Sequence, residues 1–365
     1  MNTERLVPKH IRDLAPYTPI VPVDVLAQRA GIPMEKVIKL DGNENVYGCS
    51  PRVQRALADY KSYHIYPDPG HTELKKALAK YAGVGPENIV AGSGSDELID
   101  LVLRLFIEPG DEVIDCVPSF MMYRFNAEVC AARVVPVPRD EAYAINVPAI
   151  KKAVTDRTKI IFIATPNNPT TTLTPPEKVL QLLDTGVIVV VDEAYYEFSG
   201  VTMAHLVPNY ENLIVLRTFS KWAGLAGLRA GYGIMSPKMV DFFYKMKPPY
   251  NVNIAAQIGM LESLQDMHYL KHSIKLILEE RPRFSAALKK QGMLAPMPSQ
   301  ANFLFCPVVV GEAKHIWEEL AKRGIFVRYF NVPLLKNAIR LSVGRPEHTE
   351  AIVKALDEIR GKMNV

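Results

Sequence analysis

The sequence predicts an α/β fold in which a mostly parallel sheet is covered by helices, followed by a smaller α+β domain. Three observations predict it. The middle of the chain carries short, fully apolar, β-branched runs separated by helical patterns, the mark of parallel strands buried on both faces. After about residue 255 the texture changes to long amphipathic stretches with isolated strand patterns. At 365 residues the chain is long enough for two or three domains.

The elements follow in order. Residues 1–40 read as an arm, because Pro8, Pro16, Pro19, Pro22 and Pro33 leave little room for a long helix. Strands are expected at Glu112–Val117, Lys159–Ala164, Val187–Val191 and Leu213–Leu216, with helices such as Asp96–Phe106 and Pro176–Leu183 between them. Amphipathic helices over His268–Ala287 and Ala313–Arg323, and strands at Phe303–Cys306 and Ile339–Val343, suit the smaller domain. The expected division is an arm at 1–40 that joins the small domain, a large ligand-binding domain at 41–255 and a small domain at 256–365.

Composition excludes several classes. Forty-three basic and 39 acidic residues leave a net charge of +4, too balanced to imply nucleic acid or an anionic membrane. Cys49, Cys116, Cys130 and Cys306 are scattered, without a CxxC pair, so neither a zinc site nor a disulfide framework is indicated. No signal peptide opens the chain, no apolar run approaches a bilayer span, and a reducing cytoplasm fits. His268 and His272 stand four apart without an intervening Glu, so they read as a solvated helix face. There is no GxSxG elbow and no Walker loop.

Ligands bind beyond the carboxyl ends of strands in an open parallel sheet. Thr165-Pro166-Asn167-Asn168-Pro169-Thr170 follows the second predicted strand, Asp192-Glu193-Ala194-Tyr195 the third, and Arg217-Thr218-Phe219-Ser220-Lys221 the fourth. An amide, a carboxylate and an amine therefore meet on one sheet edge. Lys221 precedes a glycine-rich stretch whose single charge is Arg229, and such desolvation lowers an amine from its ordinary value of about 10.4. A neutral amine is what imine formation requires. Asp192 ends an apolar run and needs a partner there. A protonated pyridine nitrogen is such a partner, and pyridoxal 5′-phosphate (PLP) acts as an electron sink only while that proton is kept. Tyr195 and Asn168 are placed to bond the same ligand's O3′.

A phosphate needs a cradle. Ala91-Gly92-Ser93-Gly94-Ser95-Asp96-Glu97 opens a helix with small residues whose free N–H groups favour an anion. Ser95 is the expected cap. Glu97 replaces the third glycine of a dinucleotide fingerprint. The backbone amides are expected to bind, with both carboxylates turned aside, and Ser220 and Arg229 to add donors.

These residues resemble a known family. Ser220-Lys221 through Gly227-Leu228-Arg229-Ala230-Gly231-Tyr232 looks like the lysine segment of fold-type-I PLP aminotransferases. Asn167-Asn168-Pro169 and Asp192-Glu193-Ala194-Tyr195 resemble the other two signatures, in the expected order. Asp41-Gly42-Asn43-Glu44-Asn45, Tyr66-Pro67-Asp68, Gly94-Ser95-Asp96-Glu97, Pro118-Ser119-Phe120, Ser299-Gln300-Ala301-Asn302-Phe303 and Ile339-Arg340-Leu341-Ser342-Val343-Gly344 are similar to histidinol-phosphate aminotransferases in particular. The resemblance covers nearly the whole chain. It implies a seven-stranded, mostly parallel sheet, and transamination between L-histidinol phosphate and 2-oxoglutarate. It makes Lys221 the Schiff-base lysine and proton shuttle, Asp192 the pyridinium partner, and Asn168 and Tyr195 the O3′ ligands. Phe120 would stack on the ring, and Ser95, Asp96, Thr218, Ser220 and Arg229 would surround the phosphate. Tyr66 would reach the phosphate of a neighbouring subunit, implying a homodimer. Arg328 and Arg340 would hold the substrate's far anion, with Tyr17 beside them and Asn45 in the loop near the entrance.

Two positions depart from the family pattern. Thr171 stands where the Asn-Pro-Thr turn usually has glycine, so the loop must avoid positive φ there or carry strain. Asn45-Val46-Tyr47-Gly48-Cys49 lacks the usual prolines. Aromatic amino-acid aminotransferases and threonine-phosphate decarboxylases are the alternatives within the fold. A ligand-sensing regulator would need a DNA-binding domain ahead of the body, and a dehydrogenase a glycine fingerprint; the sequence offers neither.

Overall fold

The computed structural model describes residues 3–17 and 19–363. β1 (Ile38–Lys39) precedes the main sheet, which is built from β2 (Ile89–Gly92), β3 (Glu112–Val117), β4 (Arg133–Pro138), β5 (Thr158–Ala164), β6 (Ile188–Asp192), β7 (Leu213–Thr218) and β8 (Gly231–Ile234). Seven strands lie in the order β2-β8-β7-β6-β5-β3-β4. Only β8 runs against its neighbours. The β-branched runs of β5, β6 and β7 are buried throughout their centres. Two apolar clusters cover the faces: one includes Ile161, Val191 and Val215, the other Phe162, Val190 and Ile214. Alternate residues of the same strands thus feed opposite clusters, as the two-residue period of a strand requires.

A 25-residue helix, Met267–Gln291, leads to β9 (Phe303–Pro307), β10 (Ile325–Phe326), β11 (Arg328–Tyr329) and β12 (Ala338–Ser342). β11-β12-β9 form an antiparallel sheet, and β1 pairs with β10 in parallel. The end of the N-terminal arm is therefore stitched to the C-terminal region, where Leu40 shares a core with Phe284, Leu304 and Ile352. Within the arm the helices are short, Lys9–Arg12 and Val23–Ala30. Among the described residues no helix is long and apolar enough to cross a membrane.

The predicted strands fall within a residue or two of those observed, and the helix expected from Asp96 begins at Gly94. Its cap is Ser93, two residues ahead of the expected Ser95.

Candidate active site

Register brings the chemistry together. Ala164 of β5 pairs with Asp192 of β6, Asp192 with Leu216 of β7, and Thr218 with Gly231 of β8. The carboxyl ends of the parallel strands β5, β6 and β7 share one edge with the start of β8, so the segments that follow β5, β6 and β7 converge on a cavity of about 280 Å³. Of the fifteen residues singled out from the sequence, thirteen line it; Asn45 and Tyr66 do not.

Lys221 reaches the cavity with its Nζ donating to the Gly42 carbonyl at 2.8 Å. Burial, helped by the Arg340 charge, lowers its amine to about 8. Asp192 is buried, and burial pushes its carboxyl up to about 6 against two stabilising hydrogen bonds. Those bonds come from the Tyr123 O–H, 2.6 Å from Oδ2, and the Ala194 N–H, 3.0 Å from Oδ1. Tyr195 accepts from Asn43 Nδ2 at 2.9 Å, which leaves its own O–H to donate. Asn168 Oδ1 accepts from Arg340 Nη1 at 2.6 Å, leaving its N–H groups for another acceptor.

At one end β2 delivers the helix Gly94–Phe106, whose first turn faces the cavity. Gly94 takes φ +75°, and a Cβ there would lie 2.6 Å from Arg229 Nη2. A Cβ on Gly231 would lie 2.7 Å from the main chain of Gly94 and Ser95. The positive φ demands glycine at 94 and the main-chain contact demands it at 231, and both keep the amides of the first turn open to an anion. Glu97 is turned away, accepting from the Ser93 N–H at 2.6 Å and Asn251 Nδ2 at 2.8 Å. Asp96 is paired with Arg229 at 2.6 Å. Its carboxylate thus holds the guanidinium at the rim of the cup. Thr218 and Ser220 hydroxyls bond each other at 2.9 Å on the same rim.

At the other end, Arg328 and Arg340 are cross-strand partners of β11 and β12. Arg340 is buried; burial lowers it to about 10, and its Nη2 donates to the Asp41 carbonyl. Among the described residues neither arginine has a carboxylate within ion-pair distance. Two adjacent cations without a counter-charge make a receptor for an anion. Tyr17 lines this end and packs edge-on against Phe125.

One expectation changes, and one alternative is decided. Asn45 does not line the cavity: its Nδ2 donates to the Trp222 carbonyl at 2.8 Å and its Oδ1 accepts the Tyr47 N–H at 2.9 Å, so both ends of the amide shape the loop. Thr171 takes positive φ, +66°, so the turn carries the strain that glycine would avoid. Tyr66 is 78% exposed and stacks on Tyr250, away from this chain's own cavity. Tyr123 and Asn43 carry no functional signal in the sequence. Tyr123 sits in an amphipathic helix where an aromatic reads as core, and Asn43 lay inside a recognised motif with no signal of its own.

The donor set fits a phosphorylated pyridine aldehyde. It offers an amine of lowered basicity, a carboxylate for a ring nitrogen, an amide and a phenol for a ring oxygen, Phe120 for a ring face, and a helix N-terminus with Arg229 for the phosphate. Residues 35–356 match the family model of aminotransferase class I and II. The chain is 51% identical to a histidinol-phosphate aminotransferase of Dehalococcoides mccartyi, over 88% of this chain and 90% of the relative. It is 48% identical to the one of Roseiflexus castenholzii, over 96% of each. A crystal structure of histidinol-phosphate aminotransferase from Sinorhizobium meliloti with pyridoxal-5′-phosphate superposes with a TM-score of 0.88 at 27% identity, covering 98% of both chains.

Proposed function

Because the chain belongs to the class I and II aminotransferases, we propose that it exchanges the amino group of L-histidinol phosphate with the oxo group of 2-oxoglutarate. The products are imidazole-acetol phosphate and L-glutamate, as histidine biosynthesis requires, and PLP is the cofactor. The observation that carries the reading is a single cavity with two anion sites. The helix cup with Arg229 suits the cofactor's phosphate, and the unpaired Arg328–Arg340 couple suits an anionic group on the substrate.

When bound, PLP supplies a conjugated pyridinium that accepts the electron pair left when the substrate's Cα loses its proton. The protein's residues do the rest. Asp192, steadied by Tyr123 and Ala194, keeps the ring nitrogen protonated. Asn168 and Tyr195 donate toward O3′, and Phe120 covers one ring face. Lys221 would bind the cofactor and, released by the incoming substrate, would remove the proton from Cα; the burial that lowers its basicity favours the neutral amine this requires. Arg340 and Arg328 orient the substrate through its far anion, with Tyr17 beside them. They serve both half-reactions, since 2-oxoglutarate also ends in a carboxylate.

The working unit in this reading is a homodimer in the cytoplasm, in which Tyr66 reaches the partner's phosphate site. Its exposure supports that role, and the four cysteines are all free, as a reducing compartment keeps them. Half-reaction spectra test the substrate. Histidinol phosphate should bleach the yellow holoenzyme at far lower concentration than phenylalanine; the reverse order would reassign the donor to aromatic amino acids.

A further inference from the structure

A buried cation without an opposite charge is costly unless hydrogen bonds satisfy it, and such groups commonly hold something else in place. Arg139, just beyond β4, is 7% exposed. Among the described residues no carboxylate lies within ion-pair distance of it; it spends its fork on three neutral acceptors instead. Nε donates to the Cys116 carbonyl at 2.9 Å, Nη1 to the Tyr143 carbonyl at 3.2 Å, and Nη2 to Asn167 Oδ1 at 3.0 Å.

Asn167 passes that grip on. Its Nδ2 donates to the Pro118 carbonyl at 3.0 Å and to Thr170 Oγ1 at 2.7 Å. Its N–H donates to the Thr172 carbonyl, and its own carbonyl accepts the Thr171 N–H, both at 2.8 Å. Every polar group of Asn167 is therefore engaged, and the turn it closes carries Asn168 into the cavity. The fixed end is β3, gripped at Cys116 by the side chain of Arg139 and at Val117 by its N–H, 2.8 Å from the carbonyl.

We propose that Arg139 is a positioning residue for the cofactor, acting through Asn167 to set the Asn168 amide against O3′. The proposal rests on the PLP reading above. A planar fork with donors in fixed directions is required, so lysine, a compact point charge, cannot substitute fully.

A double-mutant cycle on cofactor affinity tests it. Arg139→Met, Arg139→Lys and Asn168→Ala are made singly, and each arginine variant is combined with Asn168→Ala. PLP is titrated into cofactor-free protein, with absorbance reporting the dissociation constant. Arg139→Met should weaken PLP about tenfold or more in the native background and less than about threefold beside Asn168→Ala, because residues acting in series are not additive. Arg139→Lys should fall between native and Met, and it decides the question by itself if the Met variant does not fold. Equal weakening in both backgrounds, as a merely structural role would give, overturns the proposal, and so does unchanged affinity. A native chain that takes up no PLP at all would remove the cofactor reading itself, a result distinct from both.

Discussion

Asp192 shows how a single side chain is kept ready at the expense of stability. Its carboxyl is raised from an ordinary 3.8 to about 6 by burial, despite bonds from Tyr123 and Ala194. The folded chain therefore holds this proton more tightly than the unfolded chain. Stability falls as pH rises from about 4 to 6, and the whole penalty, up to about 3 kcal/mol, is present above that window. Asp192→Asn removes the penalty. The cofactor-free variant should melt above the native protein at pH 8, and the gap should close as pH is lowered toward 4. Loaded with PLP, it should transaminate about a hundredfold more slowly or worse, since a charge partner of the reacting system is gone. A melting difference that ignores pH would show that Asp192 is not ionised in the cavity. The position of Asp192 was legible because an acid closing an apolar run is anomalous. Tyr123, which steadies it, was not, because a tyrosine stacked on Phe162 at 4.7 Å differs from ordinary core only through its hydroxyl.

Among the elements, the strands least visible in the sequence are those whose composition is set by position or by the site. β4 contains Pro136 and Pro138, which argue against a strand, yet it is the sheet's edge, where a missing N–H costs no ladder bond. β8 reads Gly-Tyr-Gly-Ile, a weak strand by propensity, because Gly231 must let the phosphate-binding turn approach. The turn after β5 is the sharpest case. Thr171 is fully buried at φ +66°, a conformation that strains a β-branched residue by about 1–2 kcal/mol. Its hydroxyl compensates, donating to the Pro298 carbonyl at 2.8 Å and tying the turn to the segment that leads into β9. Thr171→Gly loses that bond but relaxes the backbone. Thr171→Val keeps the strain and leaves a buried carbonyl unpaired, at about 1–3 kcal/mol. Thermal melts should therefore rank threonine first, glycine second and valine last, reversing the usual preference for valine over glycine at a buried position. Valine melting above glycine would mean that the positive φ is not held in solution.

At the scale of the whole molecule, parallel strands explain why motifs far apart in the chain meet, and why the order amide, carboxylate, lysine sufficed to place them on one edge. The anion receptor was less legible. Arg328 and Arg340 stand out in the sequence through the family resemblance, and only the pairing of β11 with β12 sets them side by side. A partner subunit leaves still less trace, because a residue that completes a neighbour's site looks like surface in its own chain. Tyr66, 78% exposed beside the half-exposed Tyr250, has that character. Complementation tests it without relying on any one variant's stability. If each site takes Lys221 from one chain and Tyr66 from the other, then Lys221→Ala and Tyr66→Ala place their defects in different sites of a mixed dimer. One of its sites carries both defects and the other neither. Random reassociation of equal amounts under two-fold symmetry makes about half the dimers mixed, so about a quarter of all sites become native. Activity should rise toward that fraction after the two inactive proteins are unfolded and refolded together, and stay near zero when they are refolded apart and then mixed. Were Tyr66 to serve its own chain's site, mixing would leave native sites in neither subunit, and the co-refolded sample would be no more active than the average of its parents.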